Sequence, residues 1–202
     1  MLPTIEQAEK LFTFITSFTD ELNVKHGLPK GISAKHYKNV AYIASSIAKK
    51  SNLDSEKAYI LGLLHDYGEY IEDTIKGTFH GTSGYDEMMK KGYDEVAKIC
   101  LTHSFFDQNI NPNDYSYNPS EILRAGNIIK TLNFDDYDKL IQLSDLMGAG
   151  DCITNIEDRL NKLAVKYNIR KELMINKIKK ANALKEYFDK KCDCNIYNLF
   201  SI

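Results

Sequence analysis

Apolar residues in this chain recur at intervals of three and four, in one segment after another. No run of Val, Ile and Thr alternates with polar residues. A period near 3.6 gathers side chains on one face of a helix, whereas a half-buried strand needs a period of two. Packed helices are therefore the fold open to this sequence, and the expected class is all-α.

Helix boundaries follow from capping chemistry. Thr4 with Gln7 forms a capping box for a first helix to about Asn23, with Leu11, Phe12, Ile15, Phe18 and Leu22 as its apolar stripe. Glycine and proline mark residues 26–31 as a loop. Ser33 is expected to cap a second helix to about Lys50, whose inner face is His36, Val40, Ile43 and Ile47. Asp54 caps a third, carrying Ala58, Leu61, Leu64 and His65 inward. A polar segment, 69–79, leads to His80 and a short helix closed by Gly92. Asp94 is expected to cap the next, where Val96, Ile99, Cys100 and His103 share a face. Residues 107–118 read as a long loop, a length that is often functional. Further helices are expected from Ser120 to Ile129, and from about Asp135 to the glycines 148 and 150, with Tyr137, Ile141 and Asp145 on one face. Two more should follow: one opened by a Thr154–Glu157 capping box, and an amphipathic one over about 170–190.

Composition narrows the function class. At 202 residues with 43% hydrophobic and 27% charged residues, the chain suits one soluble globular domain. Its net charge of −2 supplies no basic field for nucleic acid. No segment approaches the roughly 18 apolar residues of a membrane span. Glu6 and Glu9 stand where a signal peptide would be basic. The four cysteines, Cys100, Cys152, Cys192 and Cys194, lack a CxxC pair or zinc-finger spacing and fit a reducing cytoplasm.

One pair of residues stands out against this background. His65 and Asp66 end the apolar run Leu61–Leu64, where an ionised carboxylate costs several kcal/mol unless it is compensated. Metal coordination is a common compensation, since imidazole and carboxylate are both good ligands. His36 and His103 also fall on apolar faces, His80 lies at a glycine-flanked turn, and Asp145 faces inward. Singly, an inward histidine is more often a core residue than a ligand. Together, four histidines and two carboxylates from separate helical segments are explained by one metal centre, such as helical bundles build between facing helices.

These residues resemble a known family. His36, then His65-Asp66 at the end of an apolar helix, then Asp145 in Leu143-Ser144-Asp145-Leu146, resembles the His…His-Asp…Asp signature of the HD superfamily of metal-dependent phosphohydrolases. The stretch from His36 to Ala44 is similar to that family's first helix, and Leu63 to Gly68 to its central motif. His80 and His103 resemble the extra histidines of its dinuclear branch, which includes bacterial diadenosine tetraphosphate hydrolases. The similarity covers about residues 30–150; residues 1–25 and 154–190 read as helical extensions of the same domain.

The resemblance implies an HD-type helical bundle in which His36, His65, Asp66 and Asp145 hold one divalent ion. Asp66 would bridge to a second, held also by His80 and His103; iron, manganese, zinc and cobalt all suit such donors. Asp66 and Glu69 are the expected catalytic groups. Glu69 stands where many members carry lysine; a glutamate at this position occurs in the nucleotidase branch. Ser104 stands where dinuclear members often have another histidine. Lys30, Lys35 and Lys38 are candidate phosphate contacts, and Tyr115 and Tyr117 could stack on a base. The expected activity is hydrolysis of a small phosphorylated substrate, a nucleotide or dinucleotide. Alternatives are a di-iron oxygenase of the same superfamily and a nucleotide-binding module without turnover.

Overall fold

A computed structural model describes residues 1–25, 27, 30–72, 77–115, 117–167 and 169–202 of the chain, with backbone alone at 72, 166 and 167. Parts of three expected loops, at residues 26, 28–29, 73–76 and 116, lie outside these. Among the described residues the chain is helical, without strands; its one β-bridge joins Gly148 to Ile153.

The central packing is α2 (Ile32–Lys50) against α3 (Ser55–Leu64). Val40, Ile43 and Ile47 are fully buried from the first, and Ala58, Leu61 and Leu64 from the second. Each large aliphatic side chain removed from water stabilises the fold by about 1.5–3 kcal/mol. The two backbones approach closely at Gly62, where a Cβ would lie 2.8 Å from the Ala41 Cα. Asp54 caps α3 as expected, accepting from the amides of Glu56 and Lys57.

α1 (Ile5–Lys25) packs on this pair, and α8 (Asp136–Met147) closes it from another side. α5 (His80–Lys90) and α6 (Asp94–Thr102) form a second tightly packed pair. α4 is a single turn, Glu69–Glu72. α7 (Pro119–Ile129) covers a smaller apolar cluster of Phe79, Leu101, Phe105, Ile122, Ala125 and Ile129. α9 (Ile156–Tyr167) and α10 (Lys171–Cys192) lie against α8. A short 3-10 turn, Pro112–Asp114, interrupts the expected 107–118 loop.

Four local expectations need correction. Phe18 is not in the core: it is 42% exposed and stacks with Phe14 and Tyr70, while Ala8, Phe12 and Ile15 form the buried stripe. Ser33 does not cap α2. That helix begins after Gly31, whose φ of 78° suits glycine and whose amide is held by Asp20 at 2.6 Å; Ser33 is buried against Asn23. Asp94 is the first residue of α6 rather than its cap, and it pairs with the chain's amino terminus. The cap of α9 is Asn155 rather than a Thr154–Glu157 capping box. Asn155 accepts from the Asp158 amide at 2.9 Å and its side chain donates to the Asp158 carboxylate at 2.7 Å.

Candidate metal centre

Five segments bring their polar side chains to one interior point. α2 supplies His36 from its second turn. α3 ends at His65, and the turn that follows holds Asp66. The first residue of α5 is His80, the residue after α6 is His103, and α8 carries Asp145 near its end.

Asp66 is the hub. Its Oδ2 lies 3.4 Å from His36 Nε2 and 3.3 Å from His65 Nε2. Its Oδ1 lies 3.1 Å from His103 Nε2 and 3.5 Å from His80 Nε2. Asp145 Oδ1 joins the first side, 3.3 Å from His36 Nε2 and 3.8 Å from His65 Nε2. The donor atoms therefore form two groups that share Asp66: His36, His65 and Asp66, and Asp66, His80 and His103.

The backbone fixes how these imidazoles point. His36 Nδ1 donates to the Gly148 carbonyl, His65 Nδ1 to Gly62 at 2.8 Å, and His103 Nδ1 to Ile99 at 3.0 Å. With Nδ1–H spent on a carbonyl, each Nε2 is the ring atom aimed at the cluster, which is how metal-binding histidines are commonly oriented. Asn39 also reaches over to α8, donating to Ala149 at 2.7 Å. Buried Gln142 ties α8 to the end of α6, donating to Thr102 at 2.9 Å and Phe105 at 2.8 Å. Thr102 donates to Asp138 at 2.6 Å, so the turn carrying His103 is anchored from both sides.

Close backbone approach is built in around Asp66. A Cβ on Gly68 would lie 2.0 Å from the His80 carbonyl oxygen and 2.5 Å from the Gly84 nitrogen. Gly68 thus lets the Asp66 turn press against the start of α5.

Several observations test the fit of a cation. His65 Nε2 is buried without a hydrogen-bond partner; it is within charge distance of Asp66 but not aligned for a hydrogen bond. A buried polar atom left this way is costly. His80 Nε2 and His103 Nε2 are 3.3 Å apart, and two facing lone pairs need a proton or a cation between them. Bonds of about 2.0–2.1 Å in a tetrahedral shell separate neighbouring donors by about 3.3 Å, close to the spacings found here. The donor set fits transition metals of the imidazole-and-carboxylate type.

The protonation pattern agrees. Burial works against a charged His36 ring, but the hydrogen bonds it donates to the Asp145 and Asp66 carboxylates push its pKa up to about 10. Burial likewise opposes ionisation of Asp145, and His36 and His65 bring it down to about 2. Asp66 is also held well below the usual carboxylate range: burial opposes its ionisation, but the charge of His65 and hydrogen bonds from His103 and His36 outweigh it. The proton held on His36 is the one a divalent cation would displace.

A family model for the HD domain matches residues 34–146. The chain belongs to the HD domain family. Comparison with curated proteins and with solved structures finds no match. The matched segment spans His36, His65, Asp66, His80, His103 and Asp145. HD domains bind divalent metals and commonly act as metal-dependent hydrolases. Among the described residues, no helix is long and apolar enough to cross a membrane.

The other expected site residues fall differently. Glu69 sits one turn beyond Asp66, outside both donor groups, and accepts a hydrogen bond from the Tyr37 hydroxyl. Burial and the Asp66 charge raise its pKa. A cavity of about 460 Å³ opens beside the cluster, with His80, His103 and Asp145 in its wall. Tyr115 and Tyr117 also line it, but Lys30, Lys35 and Lys38 do not. Lys35 is exposed, Lys38 lies 5.3 Å from the Phe12 ring centroid, and Lys30 borders a surface hollow beside Asp20 and Glu21. The cation in the cavity wall is Lys177 of α10. Sequence patterns missed it because it is one lysine among many on a basic helix. Tyr37 and Gln142 were missed too, since their partners lie 32 and up to 40 residues away.

Proposed function

We propose that this HD domain is a metal-dependent phosphohydrolase for a small phosphorylated substrate, with nucleotides the leading class. The observation that carries this reading is the division of labour on Asp66, whose two oxygens face separate histidine groups. That arrangement suits a pair of divalent ions sharing one carboxylate, the first held by His36, His65 and Asp145 and the second by His80 and His103.

Bound divalent ions supply Lewis acidity at a phosphoryl oxygen and lower the pKa of water. The chain's own groups do the rest. Backbone carbonyls hold the Nε2 atoms of His36, His65 and His103 on target, so the donor geometry is set before substrate arrives. Glu69, raised in pKa and held by Tyr37, is placed about one turn from Asp66 to take up or return a proton. Ser104 Oγ, 3.0 Å from His103 Nε2 and 3.3 Å from His80 Nε2, adds a polar contact at the second group. The cavity volume lies in the range that takes small ligands. Tyr117, 4.8 Å between centroids from Phe79 and 6.0 Å from His80, offers an aromatic face for a base close to the cluster.

The test is hydrolysis of a panel of nucleoside mono-, di- and dinucleoside polyphosphates by protein loaded separately with manganese, iron, zinc or cobalt. Phosphate release that needs metal and is lost in Asp66→Ala supports the reading. Release that persists in chelator contradicts it, and oxygen uptake by the iron form in place of phosphate release points to the oxygenase alternative.

A further inference from the structure

The cavity beside the cluster is completed from outside the segment that matches the HD family. Leu160 and Leu163 of α9, Ile169 from the turn after it, and Lys177 of α10 form wall on one side, all beyond residue 146. Asp114 and Tyr115, from the 107–118 segment, line the same cavity. Two ion pairs fasten that segment to α10 and the turn before it: Arg170 to Asp114 at 3.0 Å, and Lys180 to Asp107.

Lys177 stands out in this wall. Burial lowers its pKa, so its ammonium lies in surroundings that disfavour charge. Among the described residues it has no ion-pair partner. Asp114 acts on it only through charge at longer range, and that carboxylate is already held by Arg170. Its nearest aromatic neighbour is Tyr115, with Nζ 5.9 Å from the ring centroid. Merely covering apolar surface with its methylenes would leave the ammonium in water. Lys177 instead places a partly desolvated cation in the wall of a cavity that His80, His103 and Asp145 also line.

The aromatic residues give the cavity an order. Tyr117 packs by His80, at the cluster. Tyr115 packs on Phe105 at 5.1 Å and neighbours Lys177. A ligand with its reacting phosphoryl group at the cluster thus meets aromatic faces next and an ammonium beyond them.

We infer that Lys177 is a specificity-determining residue that binds a second anionic group, so the preferred ligand is a phosphate ester carrying another phosphate or carboxylate beyond its aromatic or apolar body. This rests on the hydrolase reading for the placement of the reacting phosphoryl group. The ammonium donates charge-assisted hydrogen bonds to the distal anion, as a point charge rather than a bidentate fork. The supply of that cation by α10 also gives the C-terminal helices a role in substrate choice.

The test compares adenosine 5′-monophosphate with adenosine 3′,5′-bisphosphate on the metal-loaded, full-length protein. Apparent affinity is read as KM where the compound is turned over and as Kd where it is not. In the wild type the bisphosphate is expected to bind about tenfold tighter or better, the increment of one hydrogen bond to a charged group. In Lys177→Met that ratio falls to about one, and Lys177→Arg restores much of it. Lys179→Met, an exposed lysine on the same helix, keeps the wild-type ratio and controls for general electrostatics. A circular dichroism spectrum and melting curve matching wild type confirm that Lys177→Met is folded. Equal affinity for the two compounds in wild type, no binding of either, or an unchanged ratio in Lys177→Met would overturn the inference. Metal-dependent turnover with an unchanged ratio defeats only the role of Lys177. A ratio that collapses in a protein that hydrolyses nothing defeats only the hydrolase reading.

Discussion

At the scale of the residue, the site depends on atoms that have one use. Gly68 is the clearest case outside the donors, because any Cβ there collides with the backbone at His80 and Gly84. Gly68→Ala should destabilise the fold by about 1–3 kcal/mol, the usual cost of overpacking, and should displace His80. Urea unfolding checks the first effect and metal content the second; an unperturbed midpoint with full metal content would show that the approach is not tight. Tyr37 holds Glu69 from a fully buried position on α2. Tyr37→Phe removes that hydrogen bond and should cost about 1 kcal/mol or somewhat more. The same change should move the pH profile of hydrolysis while leaving metal content intact, which separates it from the ligand variants.

At the scale of the element, the capping chemistry of α8 places Asp145. Asp135 accepts from the Tyr137 amide at 2.7 Å, Asp138 closes the capping box, and Lys98 pairs with both carboxylates. Asp135→Ala should lower stability by about 1 kcal/mol, the typical worth of an N-cap, measured as a drop in melting temperature. Burial opposes ionisation of Asp135, but Lys98 and the two amides depress its pKa below the ordinary aspartate value. A depressed carboxylate contributes stability that is complete above its unfolded pKa and fades as pH falls toward its folded one. The cost of Asp135→Ala should therefore shrink in acid, below the ordinary aspartate range, and stay constant from there to neutrality. Helix caps were legible in sequence where the capping side chains lie within the helix's own first turn, as at Thr4 and Asp54. They were not legible at Ser33, because a glycine in the left-handed region and the side chain of Asp20, 11 residues earlier, start that helix instead.

At the scale of the whole molecule, local pattern and distant contact divide what could be foreseen. Helical class, the inward faces of α2, α3, α6 and α8, and the six candidate ligands follow from periodicity and from the family resemblance, because both are written in residues close together. The cavity is different. Its wall joins the 107–118 segment to α9 and α10, and only tertiary packing puts Lys177 in the same wall as His80, His103 and Asp145. The lysines beside His36 in sequence are turned away by the same helical geometry that turns His36 inward. Exposed ion pairs such as Arg170–Asp114 contribute little to stability. Arg170→Ala combined with Lys180→Ala should then change the unfolding free energy by less than about 1 kcal/mol. It should still raise KM several-fold and speed proteolysis within 107–118, since both changes unfasten the cavity wall. A large loss of stability with unchanged KM would instead make these pairs structural fasteners of α10.

All of these expectations meet at Asp66, and elemental analysis of protein purified without added metal or chelator tests that point directly. Wild type, Asp66→Ala and the double variant His80→Ala/His103→Ala are measured side by side after reconstitution with manganese, iron, zinc or cobalt. The proposed site predicts a pair of ions per chain in wild type, one in the double variant and essentially none in Asp66→Ala. Full metal content in Asp66→Ala, or no metal in wild type under any of the four, would contradict it.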